Sequence, residues 1–367
     1  MLRAAFVLVV AAHGLLHLLG FCKASGLAAL PRLTVPIGRG LGGLWLTAAV
    51  LLLASAIALP LWPRGWWAIG GLALLASQIA IATSWSDARF GTLANVVLLL
   101  GVVHGVASRG PWSLRADYER GVALTGRATP APVLQEADLA GLPDPVRRYV
   151  RRSGAVGLPR VHDLRATWTG RIRAGADRPW MAFTAEQRST FDPPRRFFRM
   201  DATMKGLPVD VLHAFDEGGA TMRVRLLSLY PMVDARGPQL TRAETVTLLN
   251  DLCILAPGAL VSPLIAWEPI DAHRARARFT LRGNTVAVEL RFNDDAELVD
   301  FASDDRGVLS ADGKSFTPLR WTTPLRDYAT VGPVRVATHG EAVWHPQSGA
   351  WTYGEFTLTL LAYNASD

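Results

Sequence analysis

Trp85-Ser-Asp-Ala-Arg-Phe-Gly-Thr-Leu-Ala-Asn95 runs straight into Val96-Val-Leu-Leu-Leu-Gly-Val-Val-His-Gly-Val-Ala107. A short charged turn followed by an apolar run with no acidic or basic residue is the pattern of a chain re-entering a membrane. Working outward, Leu2–Phe21, Leu41–Trp62 and Trp66–Trp85 have the same character, and Phe90–Ala107 is the last of four. Each is close to the ~20 residues that a helix needs to cross the hydrocarbon core. Trp62, Trp66, Trp67 and Trp85 stand at run ends, as an interfacial belt does. The first run carries Arg3 and lacks a small-residue cleavage site before Lys23, so it reads as a retained helix and not a signal peptide.

Charge divides the chain in the same place. Up to Ser108 there are 6 basic residues and one acidic, a net +5, whereas from Arg109 onward 32 basic residues face 30 acidic ones. The basic excess therefore flanks the apolar runs, where headgroups are, and no basic groove for nucleic acid is expected on the remainder. The two cysteines, Cys22 and Cys253, support neither a disulfide framework nor a zinc site. Expected units are a four-helix transmembrane domain over 1–108, a linker with a short amphipathic piece over 109–135, and a water-soluble domain over 136–367. Counting basic residues on either side gives six (Arg3, Arg64, Arg109, Arg115, Arg120, Arg127) against four, and by the positive-inside rule a cytoplasmic soluble domain.

Polar residues inside the spans invite a functional reading. His13 and His17 share one helix face, and His104 lies in the fourth span. A haem or metal between the first and fourth helices is the sharp reading. The two levels differ in depth by ~9 Å at 1.5 Å per residue, which favours interhelical hydrogen bonding instead. Asp87 and Arg89, in a short interfacial loop, read as a structural turn.

Beyond the linker, Asp144-Pro-Val-Arg-Arg-Tyr-Val-Arg-Arg152 predicts a helix capped by Asp144 and ended by Gly154. From Arg160 the period changes from 3.6 to 2. His273–Leu281 sets Ala275, Ala277, Phe279 and Leu281 against Arg274, Arg276 and Arg278, and Arg282-Gly-Asn-Thr then turns a hairpin into Val286–Phe292. Similar runs occur at 165–173, 195–202, 208–215, 221–230, 332–338 and 355–361. About ten such strands predict one large curved antiparallel sheet, an open half-barrel with a wet arginine-rich face and a dry face. Thr241–Leu255 is the inserted helix, with Thr241 and Glu244 spaced as a capping box. The fold class expected is thus a transmembrane bundle followed by an α+β domain.

WSDARFGTLANV (85–96), LPDPVRRYVRRSGAVG (142–157), PLIAWEPID (263–271) and WTTPLRDY (321–328) resemble a bacterial family of uncharacterised multi-spanning membrane proteins with a β-rich C-terminal domain. That resemblance implies an inner-membrane, multi-pass location and brings no activity. The leading helix, the open sheet, and the inserted helix between Phe191-Asp-Pro-Pro and the Phe292–Asp300 strand resemble the lipoprotein-carrier (LolA-like) fold. This implies an incomplete barrel around an apolar cavity, and transient binding of an acyl chain or similar molecule. HGLLHLLGFCK (13–23) also resembles small four-helix membrane proteins linked to quinone or thiol redox.

No nucleophile elbow, P-loop, zinc-protease motif or dinucleotide fingerprint occurs in a suitable context, and no catalytic residue, metal ligand or cofactor is assigned. Glu186, Asp234, Asp251, Glu268 and Asp327 are carboxylates that a cleft would have to bring together. The function expected is a membrane-anchored, non-enzymatic binder, carrier or sensor of an apolar, lipid-like ligand. Phe183, Phe198, Met200, Leu226, Leu252, Trp267, Phe292 and Trp321 would line its site, although strand alternation alone reads the same for a solid core. The alternatives are a redox or cofactor protein using His13, His17 and His104, and a docking module for a membrane partner.

Overall fold

The computed structural model describes residues 2–123, 131–310 and 315–364. It contains two compact units, Met1–Asp117 and Tyr118–Asp367.

The first unit holds α1 (Leu2–Ala24), α2 (Arg39–Leu61), α3 (Trp66–Thr83), the short α4 (Trp85–Ala88) and α5 (Gly91–Arg109). It also holds the start of α6 (Leu114–Ala123). Four of these helical segments are long and apolar enough to cross a membrane. Helices α1, α2, α3 and α5 form a ring, each packed on the next and α5 back on α1. Small residues allow the close approach: a Cβ on Gly20 would fall 2.3 Å from the Trp45 ring, and one on Gly42 would fall 2.4 Å from Ala24 Cβ. Asp87 lies within α4 and not in a loop, and it accepts from the Thr34 hydroxyl (2.7 Å) and the Val35 amide (2.8 Å), which ties the segment before α2 to α4.

In the second unit, α7 (Asp144–Arg152) precedes strands β1 (Asp163–Ile172), β2 (Met181–Phe191), β3 (Pro194–Met204), β4 (Leu207–Asp216), β5 (Gly219–Leu226) and β6 (Tyr230–Arg236). Helix α8 (Pro238–Leu255) follows, and then β7 (Ile265–Pro269), β8 (Arg274–Leu281), β9 (Asn284–Phe292), β10 (Leu298–Ser303), β11 (Gly307–Leu309) and β12 (Phe316–Pro318). The chain ends with β13 (Trp321–Thr322), β14 (Leu325–Val331), β15 (Val334–Trp344) and β16 (Trp351–Tyr363).

Thirteen strands form one curled antiparallel half-barrel in the order β6-β5-β4-β3-β2-β1-β16-β15-β13-β10-β9-β8-β7, with β14 added beside β15. Strands β6 and β7 are consecutive in the chain yet lie at opposite ends of this path. Their connection must cross the sheet, and α8 is that connection. It is buried nearly all round, and Leu248, Leu249, Leu252 and Leu255 join the main core. Tyr149 of α7 fixes its far side by donating its hydroxyl to the Cys253 carbonyl at 2.9 Å.

Three expectations need correction. The predicted capping box at Thr241 does not form, because α8 starts at Pro238 after Gly237. The Thr241 hydroxyl bonds the Gly237 carbonyl and the Ala220 amide, and Glu244 turns inward. Asp144 does not cap α7 either. It lies within the first turn and pairs with Arg147 and Arg148.

The outer face is not uniformly wet. Strand β8 does alternate exposed arginines with buried apolar residues, but Arg188, Phe197, Arg199 and Leu212 on the outer face of β2–β4 are buried. The last turn of α6 lies against that region, where a Cβ on Gly121 would strike the Phe197 ring. Within the 109–135 stretch Leu114–Ala123 is helical, and residues 124–130 lie outside the described residues.

Candidate functional site

Register fixes which residues share the concave face. Across β2, β3, β4 and β5, the row Phe183–Ala202–Val209–Leu226 is followed by Ala185–Met200–Val211–Val224. The next row is Gln187–Phe198–His213–Met222, and the one after it Ser189–Arg196–Phe215–Ala220. Read along the strands, the face passes from apolar, through polar, to apolar.

The first apolar zone is a cluster of Phe183, Ala185, Phe198, Met200, Ala202, Val209 and Val211, with Leu226, Trp168 and Phe356 among its partly buried neighbours. Every member comes from a strand, and no helix residue belongs to it. Gly170 makes room for it, since a Cβ there would lie 2.7 Å from the Phe183 ring and 2.0 Å from the Glu355 carbonyl oxygen. The last apolar zone belongs to the main core beneath α8.

Between them lies a buried polar belt. Arg196 donates from Nε to Asp251 Oδ2 at 2.6 Å, and its Nη1 lies 3.5 Å from Glu244 Oε2. Gln187 uses its whole amide: Nε2 reaches Asp251 (2.6 Å) and Ser189 (3.1 Å), and Oε1 accepts from the Trp168 indole at 3.3 Å. His213 Nδ1 stands 3.5 Å from Glu244. Arg306 approaches the same carboxylate at 3.6 Å, donates to Tyr353 Oη at 2.9 Å, and lies over the Trp321 ring at 4.3 Å.

Residues 244, 247 and 251 lie on one helical face, which is how α8 presents two carboxylates to two arginines. Burial pushes the Glu244 carboxyl up, but His213, Arg196 and Arg306 outweigh it and hold the group at about 2. For Asp251 burial prevails over Arg196 and Gln187, leaving it above its ordinary value. Both carboxylates face guanidinium groups, so the belt braces helix to sheet.

The eight residues expected to line a site divide between the zones. Phe183, Phe198, Met200 and Leu226 meet in the strand-only cluster. Leu252, Phe292 and Trp321 lie in the main core, with Trp267 packed against it and its indole bonded to the Leu260 carbonyl at 3.1 Å. The five carboxylates do not converge. Glu186 pairs with Arg199, Asp234 with Arg236, Asp251 with Arg196, Glu268 with Arg278 and Asp327 with Arg326. Sequence reasoning missed Arg196 and Glu244. The available signal was a charge at an inward position of β3, matched by carboxylates seven residues apart on the inserted helix.

In the first unit, His13 and His17 meet Ser77 and Asn95. His17 Nδ1 lies 2.9 Å from the His13 carbonyl, so it carries the proton, and its Nε2 lies 3.0 Å from the Ser77 hydroxyl, which also reaches Asn95 Oδ1 at 2.9 Å. His13 Nε2 then donates toward Ser77 Oγ and Asn95 Oδ1, each at 3.1 Å. This is the interhelical hydrogen bonding expected from the sequence, and His104 is not one of these partners. No cluster of three or more potential metal ligands occurs among the described residues.

The model of a family described as "Family of unknown function (DUF6544)" matches residues 132–356, and the chain belongs to that family. No curated protein matches it. Among solved structures it is similar to a DUF1329 family protein from Desulfovibrio piger, at 11% identity and a TM-score of 0.36, over 63% of this chain and 94% of that one. It is also similar to a putative outer membrane lipoprotein-sorting protein domain from Vibrio parahaemolyticus, at 9% identity and a TM-score of 0.32, over 55% of this chain and 85% of that one.

Proposed function

We propose that this member of the DUF6544 family is a membrane-anchored binder of an apolar, lipid-like ligand, held at the strand-only end of the half-barrel by Phe183, Phe198, Met200 and Leu226. The observation that carries this reading is the division of one concave face into two apolar zones. One is filled by α8, and the other contains no helix residue. A sheet that needed only a core would bury both zones under the same cover. Here a fully paired polar belt marks the limit of that cover. These side chains are buried against one another, and their mixture of aromatic, methionine and branched groups can repack around a flexible acyl chain.

Anchoring rests on the four long apolar helical segments. The bundle would sit in a bacterial inner membrane as a multi-pass anchor, and the excess of basic residues favours a cytoplasmic second unit.

Native mass spectrometry of detergent-purified full-length protein tests the ligand. A discrete lipid-mass adduct is expected on the wild type. Phe183→Ser with Met200→Ser should lose it while the far-ultraviolet dichroism is kept. A bare wild-type mass, or an adduct that survives both substitutions, overturns the reading.

A further inference from the structure

The exposed large apolar residues of the second unit are gathered at one place. Among its described residues they are Leu207, Leu227, Leu229, Tyr230 and Met232, with Val133 and Leu360 as the only two elsewhere. The first five occupy the tips of two neighbouring hairpins, β3–β4 and β5–β6. The tips are tied together by the Leu227 amide, which donates to the Pro208 carbonyl at 2.8 Å. Each continues the strand-only cluster outward: Met204 and Leu226 pack against that cluster, and the tips begin one residue beyond them.

We propose that this double tip is a membrane-contacting lip that enters the interfacial layer of a lipid bilayer. Its side chains do not form a one-sided patch. Tyr230 pairs with inward-facing Leu226, Met232 is the extra residue of a bulge beside outward-facing Arg225, and Leu227 and Leu229 belong to the turn, so the exposed side chains are not confined to one face of the hairpin; Leu229 is 50% and Tyr230 67% exposed. A flat protein partner covers one side of a hairpin, whereas immersion in an isotropic apolar medium covers all sides.

The backbone supplies a second observation. Leu227 and Ser228 sit at φ +56° and +62°, the left-handed region in which two-residue hairpin turns ordinarily carry asparagine or glycine. A bulky leucine there is held against local preference. The adjoining tip places exposed Lys205 where headgroup phosphates lie, and a tyrosine suits the same depth. The chain's four apolar segments are long enough to tether it to a bilayer. The inference rests on the membrane anchoring proposed above and is independent of the bound ligand.

The test uses full-length protein with Cys22→Ser, since Cys253 is enclosed, reconstituted in phosphatidylcholine–phosphatidylglycerol vesicles. A nitroxide is placed at Leu229→Cys, at Leu207→Cys, or at the exposed control Thr280→Cys. Protein extracted from the vesicles by alkaline carbonate would refute the anchoring itself. With the protein retained, the ratio of oxygen to nickel-chelate accessibility at 229 and 207 should exceed that at 280 by about threefold or more. Equal ratios at all three positions overturn the lip. Shielding of 229 and 207 from both reagents overturns it as well, since it assigns the tips to a protein contact. Tyr230→Ser with Met232→Ser should return the label at 207 to the control ratio.

Discussion

Arg196 of β3 reaches Asp251 of α8 across 2.6 Å, and both side chains are enclosed by protein. The pair joins the crossing helix to the middle of the sheet, where neither of the apolar zones would otherwise accept a charge. Arg196→Met leaves Asp251 and Glu244 short of a counter-charge, and the expected loss is about 3–5 kcal/mol of unfolding free energy. Arg196→Met combined with Asp251→Leu should lose less than Arg196→Met alone. Urea titration followed by tryptophan fluorescence compares the two, and a larger loss in the double variant refutes the pairing.

Acid should act on the belt through Glu244. Its folded value of about 2 lies below the ordinary 4.5, so its stabilisation is complete above 4.5 and is lost as pH falls toward 2. Asp251 has the opposite sign. Its folded value lies above the ordinary 3.8, so its contribution exists below 3.8 and fades as pH rises through the folded value. The urea midpoint of the wild type should therefore fall between pH 4.5 and 2, and Glu244→Gln should flatten that limb. An unchanged slope in the variant would count against a charged Glu244.

Gly170→Val tests the strand-only cluster without adding polarity. The new side chain meets the Glu355 carbonyl and the Phe183 ring, at an expected cost of about 1–3 kcal/mol. Thermal unfolding measures the cost. The same variant should lose the lipid-mass adduct, because the displaced Phe183 ring enters the space assigned to the ligand.

In the first unit, Ser77→Ala removes the hydroxyl that both histidines use. A coupling energy of about 0.6–2 kcal/mol between Ser77→Ala and His17→Leu is expected from a double-mutant cycle in detergent. Strict additivity would show that the hydroxyl does not join them.

The parts of this fold that were legible are those in which one local rule acts alone. Strand β8 keeps perfect alternation, Arg282-Gly283 makes a two-residue turn at φ +51° and +77°, and the membrane-length runs need only composition. Strand β2 was missed because its inward positions Gln187 and Ser189 are polar, which breaks the alternation that would mark it. Glu244 was read as a capping partner because its spacing from Thr241 satisfies that rule, whereas Arg196, His213 and Arg306 compete for it from far along the chain. The candidate site was half legible. Alternation identified inward residues such as Phe183 and Phe292 equally well, but only strand order separates the cluster made of strand residues from the core that α8 joins.

The placement of β1 beside β16 sets a timetable for synthesis. Thr167 and Thr359 share a hydrogen bond across that seam although 192 positions separate them. The stack from β1 to β6 can assemble as soon as it leaves the ribosome, but the open side of β1 has no mate until the final strand emerges. Contacts of such long range form late and slowly, and an unpaired strand edge is adhesive while it waits. A nascent chain of this protein thus carries a raw edge at the centre of its future sheet from the emergence of β1 until that of β16, and truncation before β16 would leave that edge permanently open to other chains.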